Sequence, residues 1–262
     1  MKKLITMVCV LLYTTQQMNA QAYLSVGIGQ NLCFNSNDPY GLYGDNKNAI
    51  TTLKSFNLGR GFEPRFNFGY MFSKYLGAEL GLGYLLGQKN ERTFVNGSET
   101  EVNTMYSRLL RIAPAIVISA GYGKLNPYGK FGLNIGMGKI VTDYSSVNGT
   151  NKEEATWVDK GVKGMGMFGG FGVEYFITKK ATLYLEAQAT NLSVSPTKGE
   201  LTKLEYNGSD ELSDLNTIDK ETEYVKELNS MENIPDSSPD KELKPTFSFG
   251  TNNFTLGFRF RF

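Results

Sequence analysis

From residue 22 onward, apolar residues alternate with polar, small or glycine residues in eight separate stretches. The first, near 22–29, sets Leu24, Val26 and Ile28 on one face, and the second, near 58–72, sets Phe62, Pro64, Phe66, Phe68, Tyr70 and Phe72. The third (76–87) carries Leu76, Ala78, Leu80, Leu82, Tyr84 and Leu86; the fourth (106–120) carries Leu110, Ile112, Pro114, Ile116 and Ile118. The fifth (127–141) has Phe131, Leu133, Ile135 and Met137, and the sixth (162–176) has Met165, Met167, Phe171, Val173 and Tyr175. The seventh (181–194) shows Leu183, Leu185, Ala187 and Ala189, and the eighth closes the sequence on Phe254, Leu256, Phe258, Phe260 and Phe262. A repeat of two is the signature of a strand with two unlike faces, and no stretch keeps a helical repeat.

Connections alternate as regularly as the side chains. Tight turns fall around Ser73-Lys74, Tyr122-Gly123-Lys124 and Lys179-Lys180, whereas the segments 30–57, 88–105, 142–161 and 195–245 are long. Short turns at one end and long loops at the other are how eight-stranded membrane barrels are built, the short ones periplasmic, and an even strand count puts both termini on that side. Three of the long loops contain Asn-Gly, at Asn96-Gly97, Asn148-Gly149 and Asn207-Gly208. That pair favours a two-residue hairpin, so the strands around the first two are expected to continue beyond the membrane as β-ribbons. The last loop, 196–245, holds 13 acidic residues against six lysines. Leu212, Leu215, Ile218, Thr222, Val225 and Leu228 recur there in steps of three and four and predict a helix. A loop of that length suggests either a partner site or a solvated acidic surface.

Which way the apolar face points decides the class of protein. The opposite face carries Glu63, Arg65, Glu79, Arg111, Lys130, Glu174, Glu186, Arg259 and Arg261, four acids against five bases, interleaved with glycines at 69, 77, 81, 83, 132, 136, 138, 166, 170, 172 and 257. A soluble barrel would turn its charges to water and fill its centre with the apolar set. Here the small residues and matched charges suit a narrow lumen, and the apolar set suits lipid. Pro64 and Pro114 count against this scheme: each sits mid-strand in a structure without edges, so a bulge is expected at both.

Composition narrows function by exclusion. Mean hydropathy is −0.29 and there is no apolar run of 18 residues, which rules out membrane-spanning helices but not strands. Net charge is +1, so the chain as a whole offers nucleic acid no electrostatic attraction. Among its 262 residues there is no histidine, the commonest catalytic base and metal ligand. Gly164-Met-Gly166-Met-Phe-Gly169 formally matches a dinucleotide-binding motif, but strand alternation runs straight through it where that motif needs a helix. The paired lumen carboxylates read as a structural plug before they read as acid/base catalysts. No cofactor is implied. Lys2, Lys3, the apolar stretch Leu4–Tyr13 and Ala20 form a secretory leader, expected to be cleaved after residue 20. That leaves residues 21–262 as one barrel domain whose single cysteine, Cys33, has no partner for a disulfide.

The final run Phe254-Thr-Leu-Gly-Phe-Arg-Phe-Arg-Phe262 resembles the insertion signal of bacterial outer-membrane barrels, and Gly172–Glu186 resembles the penultimate hairpin of the OmpA/OmpX-like family. The run Gly69–Tyr84 has the same style, and the likeness extends over the strands but not the long loops. The resemblance implies an all-β, eight-stranded antiparallel transmembrane β-barrel in the bacterial outer membrane. It also implies recognition of Phe254, Leu256, Phe258, Phe260 and Phe262 by the barrel-assembly machinery, and contact with outer-membrane lipid and lipopolysaccharide. Enzymes that share this shape, the outer-membrane phospholipase, palmitoyltransferase, lipid A deacylase and omptin protease barrels, each use a catalytic histidine that this sequence lacks. The expected function is therefore non-enzymatic: a structural or surface-interaction role through the loops, with an extracellular partner. The alternatives are a narrow porin for ions or small solutes, and an accessory barrel of a secretion or assembly machine of the PorT type.

Overall fold

The computed structural model describes residues 21–32, 44–47, 50–53, 56–121, 123–229 and 233–262. The expected leader, Cys33 and Tyr122 lie outside these residues. Eight long strands form the wall: β1 (Gln21–Leu32), β2 (Gly61–Met71), β3 (Leu76–Gly87), β4 (Glu99–Ser119), β5 (Leu125–Asn148), β6 (Asn151–Phe176), β7 (Ala181–Ser195) and β8 (Thr251–Arg261). Each pairs antiparallel with its neighbour in sequence. The ring closes where β1 meets β8, from Tyr23 opposite Arg261 to Leu32 opposite Asn252. No helix among the described residues is long and apolar enough to cross a membrane.

Phe66, Leu80 and Ile116 are 44%, 44% and 55% exposed on the outer surface, whereas Glu79 and Arg259 are 7% and 1% exposed inside. The greasy face therefore points away from the axis on every strand of the wall. This is the arrangement of a barrel immersed in hydrocarbon and the reverse of a soluble one.

Two of the short turns use one device. Ser73 Oγ accepts from the backbone N–H of Tyr75 and Leu76 at 3.1 and 3.0 Å, and Thr178 Oγ1 accepts from Lys180 and Ala181 at 3.2 and 3.0 Å. A hydroxyl at the first turn position satisfies donors that the reversal would leave unpaired. At the other end, β4, β5 and β6 run on well past the apolar belt as ribbons, joined by Asn90–Asn96 on one side and Lys198–Tyr206 on the other. Short strands continue this sheet outward to open edges at Ile50–Leu53 and Asp240–Leu243.

The ribbons turn where expected, but not all on the expected residues. Asn96 still pairs with Glu99 and Asn148 with Asn151, so the two-residue loops are Gly97-Ser98 and Gly149-Thr150. Each has glycine first at φ 60°, the type II′ geometry. Only Asn207-Gly208 forms the loop itself, with φ of 51° and 85°, which is type I′.

Two expectations fail. The helix expected from Leu212 to Leu228 reduces to a three-residue 3-10 turn, Leu212–Asp214, and one helical turn, Thr217–Lys220, followed by the strand Glu221–Val225. A single turn cannot outweigh its nucleation cost, and backbone pairing of Thr222 with Gly199 offered the segment a better use. Nor is there a bulge at either proline. Pro64 stays in register opposite Ile28, and the ladder to β3 skips from Phe62–Leu86 to Arg65–Gly83 without a shift. Pro114 stays opposite Leu80 while the ladder to β5 skips from Ile112–Ile135 to Ala115–Gly132. A lapse in pairing on one side is enough to absorb one missing donor. The register shift in the wall falls elsewhere, between Gly138 and Ile140, opposite Gly161 at φ 63°.

Candidate functional site in the barrel lumen

The repeat of two brings the inward residues of all eight strands onto one axis. All nine charged residues anticipated for the lumen lie there and connect into one chain. Arg111 Nη1 contacts Glu63 Oε2 at 2.8 Å, and Glu63 Oε1 contacts Arg65 Nε at 2.8 Å. Arg65 reaches Glu186 at 3.8 Å, Glu186 contacts Lys130 Nζ at 2.6 Å, and the same ammonium contacts Glu79 at 2.6 Å. Glu79 then meets Arg259 at 3.3 Å, Arg259 pairs with Glu174, and Glu174 ends on Arg261 at 2.5 Å. Base and acid alternate strictly along this path, and a linear alternation with bases at both ends has one more base than acids. Each carboxylate lies between two cations.

Uncharged side chains complete the network. Tyr23 Oη donates to Glu79 at 2.7 Å, Tyr128 Oη donates to Glu186 at 2.8 Å, and Asn31 Nδ2 donates to Glu63 at 2.8 Å. The Arg259 guanidinium also sits 4.1 Å above the Tyr23 ring. That ring fits because it lies over Gly69: a Cβ there would come within 2.0 Å of it. Gly69 is thus needed for space rather than for backbone freedom.

Toward the loop end the filling changes. Leu85, Leu109, Ile140, Val162, Leu192 and Val194 face inward and pack around Phe56, Leu58, Phe247 and Phe249. Phe247 and Phe249 continue the β8 ladder along β7, whereas Phe56 and Leu58 come from the segment leading into β2, which turns into the mouth. Ser107 Oγ donates to the Leu58 carbonyl at 2.6 Å and holds this segment in place. Between the tiers, the cavity lined by Glu63, Arg65, Arg111 and Asn134 measures about 20 Å³, the size of roughly one water molecule.

This apolar tier was not anticipated, nor were the inward tyrosines. Their signal is a break in alternation: Tyr84-Leu85-Leu86, Leu109-Leu110 and Ile140-Val141 set apolar residues side by side where a polar one was due. Phe254, Leu256, Phe258, Phe260 and Phe262 all face outward, and the Phe260 and Phe262 rings meet edge to face at 5.2 Å.

Above the belt, Asp159 is buried between ribbons, where Tyr224 Oη donates to it at 2.8 Å and Trp157 Nε1 at 3.3 Å. Burial pushes its carboxyl above the usual range and holds the Tyr224 hydroxyl well above that of a free phenol.

A closed antiparallel ring with an outward apolar face and an ionic interior meets its match in the outer membrane protein beta-barrel domain family, over residues 5–218. The chain belongs to this family. It is an outer-membrane β-barrel protein. Among solved structures, the barrel resembles OprG of Pseudomonas aeruginosa at 11% identity, covering 95% of this chain and 98% of that one, with a TM-score of 0.45. The N-terminal barrel domain of OprF, from the same bacterium, is 9% identical over 94% of this chain and 98% of its own, with a TM-score of 0.38. Ail, the attachment invasion locus protein of Yersinia pestis, is 11% identical over 94% and 100%, with a TM-score of 0.36. No curated protein matches the barrel.

Proposed function

We propose that the protein is a closed, non-enzymatic outer-membrane barrel whose role is structural and interactive, exercised through the extracellular ribbons. The observation that supports this reading is the packing of the inward faces: a continuous chain of nine charges toward the turn end and an apolar cluster at the loop end. A histidine-free sequence with every lumen carboxylate doubly paired supports the absence of catalysis. The broad sheet standing above the belt, with its acidic final loop, supports contact with an extracellular partner. Export by a leader cut after Ala20, insertion by the barrel-assembly machinery reading the terminal aromatics, and residence among lipopolysaccharide complete the proposal.

Planar-bilayer recording of the purified barrel tests it. The expected trace has no steady openings, and stable conductance steps would replace this reading with a narrow porin.

A further inference from the structure

The outer wall carries three cations at the edge of the apolar belt that have no acidic partner among the described residues. Arg108 on β4 and Lys139 on β5 are direct cross-strand partners, and Lys163 on β6 pairs with Met137, one step diagonally from Lys139. All three share the outer face with the belt residues two positions further on, Leu110, Met137 and Met165. Like charges directly opposed on one face of a sheet repel, so this arrangement costs stability unless an anion lies between them. Among the described residues no acid lies within ion-pair distance of any of the three. The acids nearby are taken, Glu200 by Lys160 and Asp143 by Lys89 at 3.8 Å. Arg108 is held in place by the Gly87 and Ser107 carbonyls, to which its Nη1 donates at 3.0 and 3.2 Å, and by the Tyr106 ring at 5.0 Å.

Beside the three cations a notch of about 560 Å³ reaches through the wall, lined on the outer side by Phe131, Met167, Gly169, Ala189 and Asn191 and on the inner side by Asn57, Phe168, Thr190 and Thr251. Met167 is four residues along β6 from Lys163, roughly 13 Å toward the turn end at about 3.3 Å per residue. A Cβ built on Gly169 would find nothing closer than 3.9 Å, so the notch is open space within the lipid-facing belt.

We propose that Arg108, Lys139 and Lys163 form a binding site for the phosphate of an outer-leaflet lipid, one of whose acyl chains occupies the notch between Phe131, Met167 and Ala189. Cations at the hydrocarbon boundary above a recess whose outward side is formed by Phe131, Met167 and Ala189 match an amphiphile whose charge and chain are joined in that order. Charge-assisted contacts fix the head group while the apolar notch sets where the chain lies. The site depends on the outward belt and not on the closed lumen, so steady conductance would leave it standing.

The full-length barrel in detergent micelles is titrated with diphosphorylated lipid A and with lipid A stripped of phosphate, and native mass spectrometry counts the bound lipid. The expected result is selective retention of the phosphorylated form. The triple variant Arg108→Gln, Lys139→Gln, Lys163→Gln is expected to lose affinity by about tenfold. A control triple on the opposite rim, Lys74→Gln, Lys124→Gln, Lys179→Gln, is expected to lose none. Heat-modifiable gel mobility reports folding, and if the triple does not fold, the three single variants are expected each to lose about two- to fivefold. Equal binding of the dephosphorylated lipid, undiminished binding by the variants, or an equal loss in the control would each overturn the proposal.

Discussion

The two ends of the lumen are walled by the same eight strands and filled by opposite chemistry. At the turn end, Glu79, Lys130, Glu174 and Arg259 solve the problem of a narrow, water-poor interior by neutralising one another. At the loop end, Leu109, Ile140 and Leu192 solve it by packing on Phe247 and Phe249, which continue the β8 ladder along β7, and on Phe56 and Leu58, which lie outside the wall strands. The first solution consists entirely of wall residues, so it is fixed once register is fixed. The second is complete only when the segment carrying Phe56 and Leu58 enters. The ionic tier is thus intrinsic to the cylinder, and the apolar stopper is a contact between the cylinder and its loops.

Removing one partner should separate the tiers most sharply in the ionic half. Lys130→Met leaves Glu79 and Glu186 each short of a cation, and breaking a buried pair in this way is expected to cost about 3–5 kcal/mol. Urea unfolding from lipid vesicles measures it, and a cost below that of a surface substitution would show that the chain of charges does not hold the wall together.

In the apolar half, Leu109→Ala should cost about 2–5 kcal/mol through the cavity it leaves. The same unfolding assay applies, with bilayer recording as the discriminating readout. If the ionic tier closes the lumen as proposed, the stopper variant alone should stay silent. Conductance from Leu109→Ala would mean that the apolar stopper, and not the charge network, is the seal.

The ribbons offer a finer comparison between turns of like sequence. Asn207 holds φ 51° inside its loop, so Asn207→Ala should destabilise that hairpin by roughly 1 kcal/mol. Asn148 occupies a paired strand position, and Asn148→Ala should stay within about 0.5 kcal/mol of the parent. Amide hydrogen exchange at the two tips reads both, and equal effects would refute the difference in turn geometry.

The smallest effect concerns pH. Asp159 is held above its usual range by burial, so above about pH 4 the folded ribbon retains a proton that the unfolded chain has released. Its contribution to stability is then greatest in acid and declines as pH rises through that value toward the folded one. Emission from Trp157, the only tryptophan, should show the ribbon's denaturant midpoint falling across this window. Asp159→Asn should flatten the fall. An unchanged slope in the variant would assign the dependence to another group.

Much of this architecture is legible in the order of residues, for a definite reason. A strand buried on one side by lipid and on the other by a narrow lumen has only two environments, and a repeat of two writes both into the sequence, as at Phe66, Leu80 and Ile116 against Glu63, Glu79 and Arg111. Strand count, facing, turn placement and membership of the lumen charge set all follow from that repeat. Segments lacking such a two-sided constraint are where reading the chain goes wrong. Thr222 and Val225 fit a helical spacing as well as a strand, and only pairing of this segment with Lys198–Glu200 settles the choice.

What the sequence by itself determined is which charged residues enter the lumen and which apolar faces meet lipid, because alternation along a single strand carries that information locally. What only the tertiary structure decided is who meets whom: the path from Arg111 to Arg261, the entry of Phe56 and Leu58 into the mouth, and the confrontation of Arg108 with Lys139. These depend on the register between strands and on contacts between residues as far apart as Leu58 and Ser107, or Glu79 and Arg259. Partners at such separations are chosen by closure of the ring, an event that no local pattern encodes.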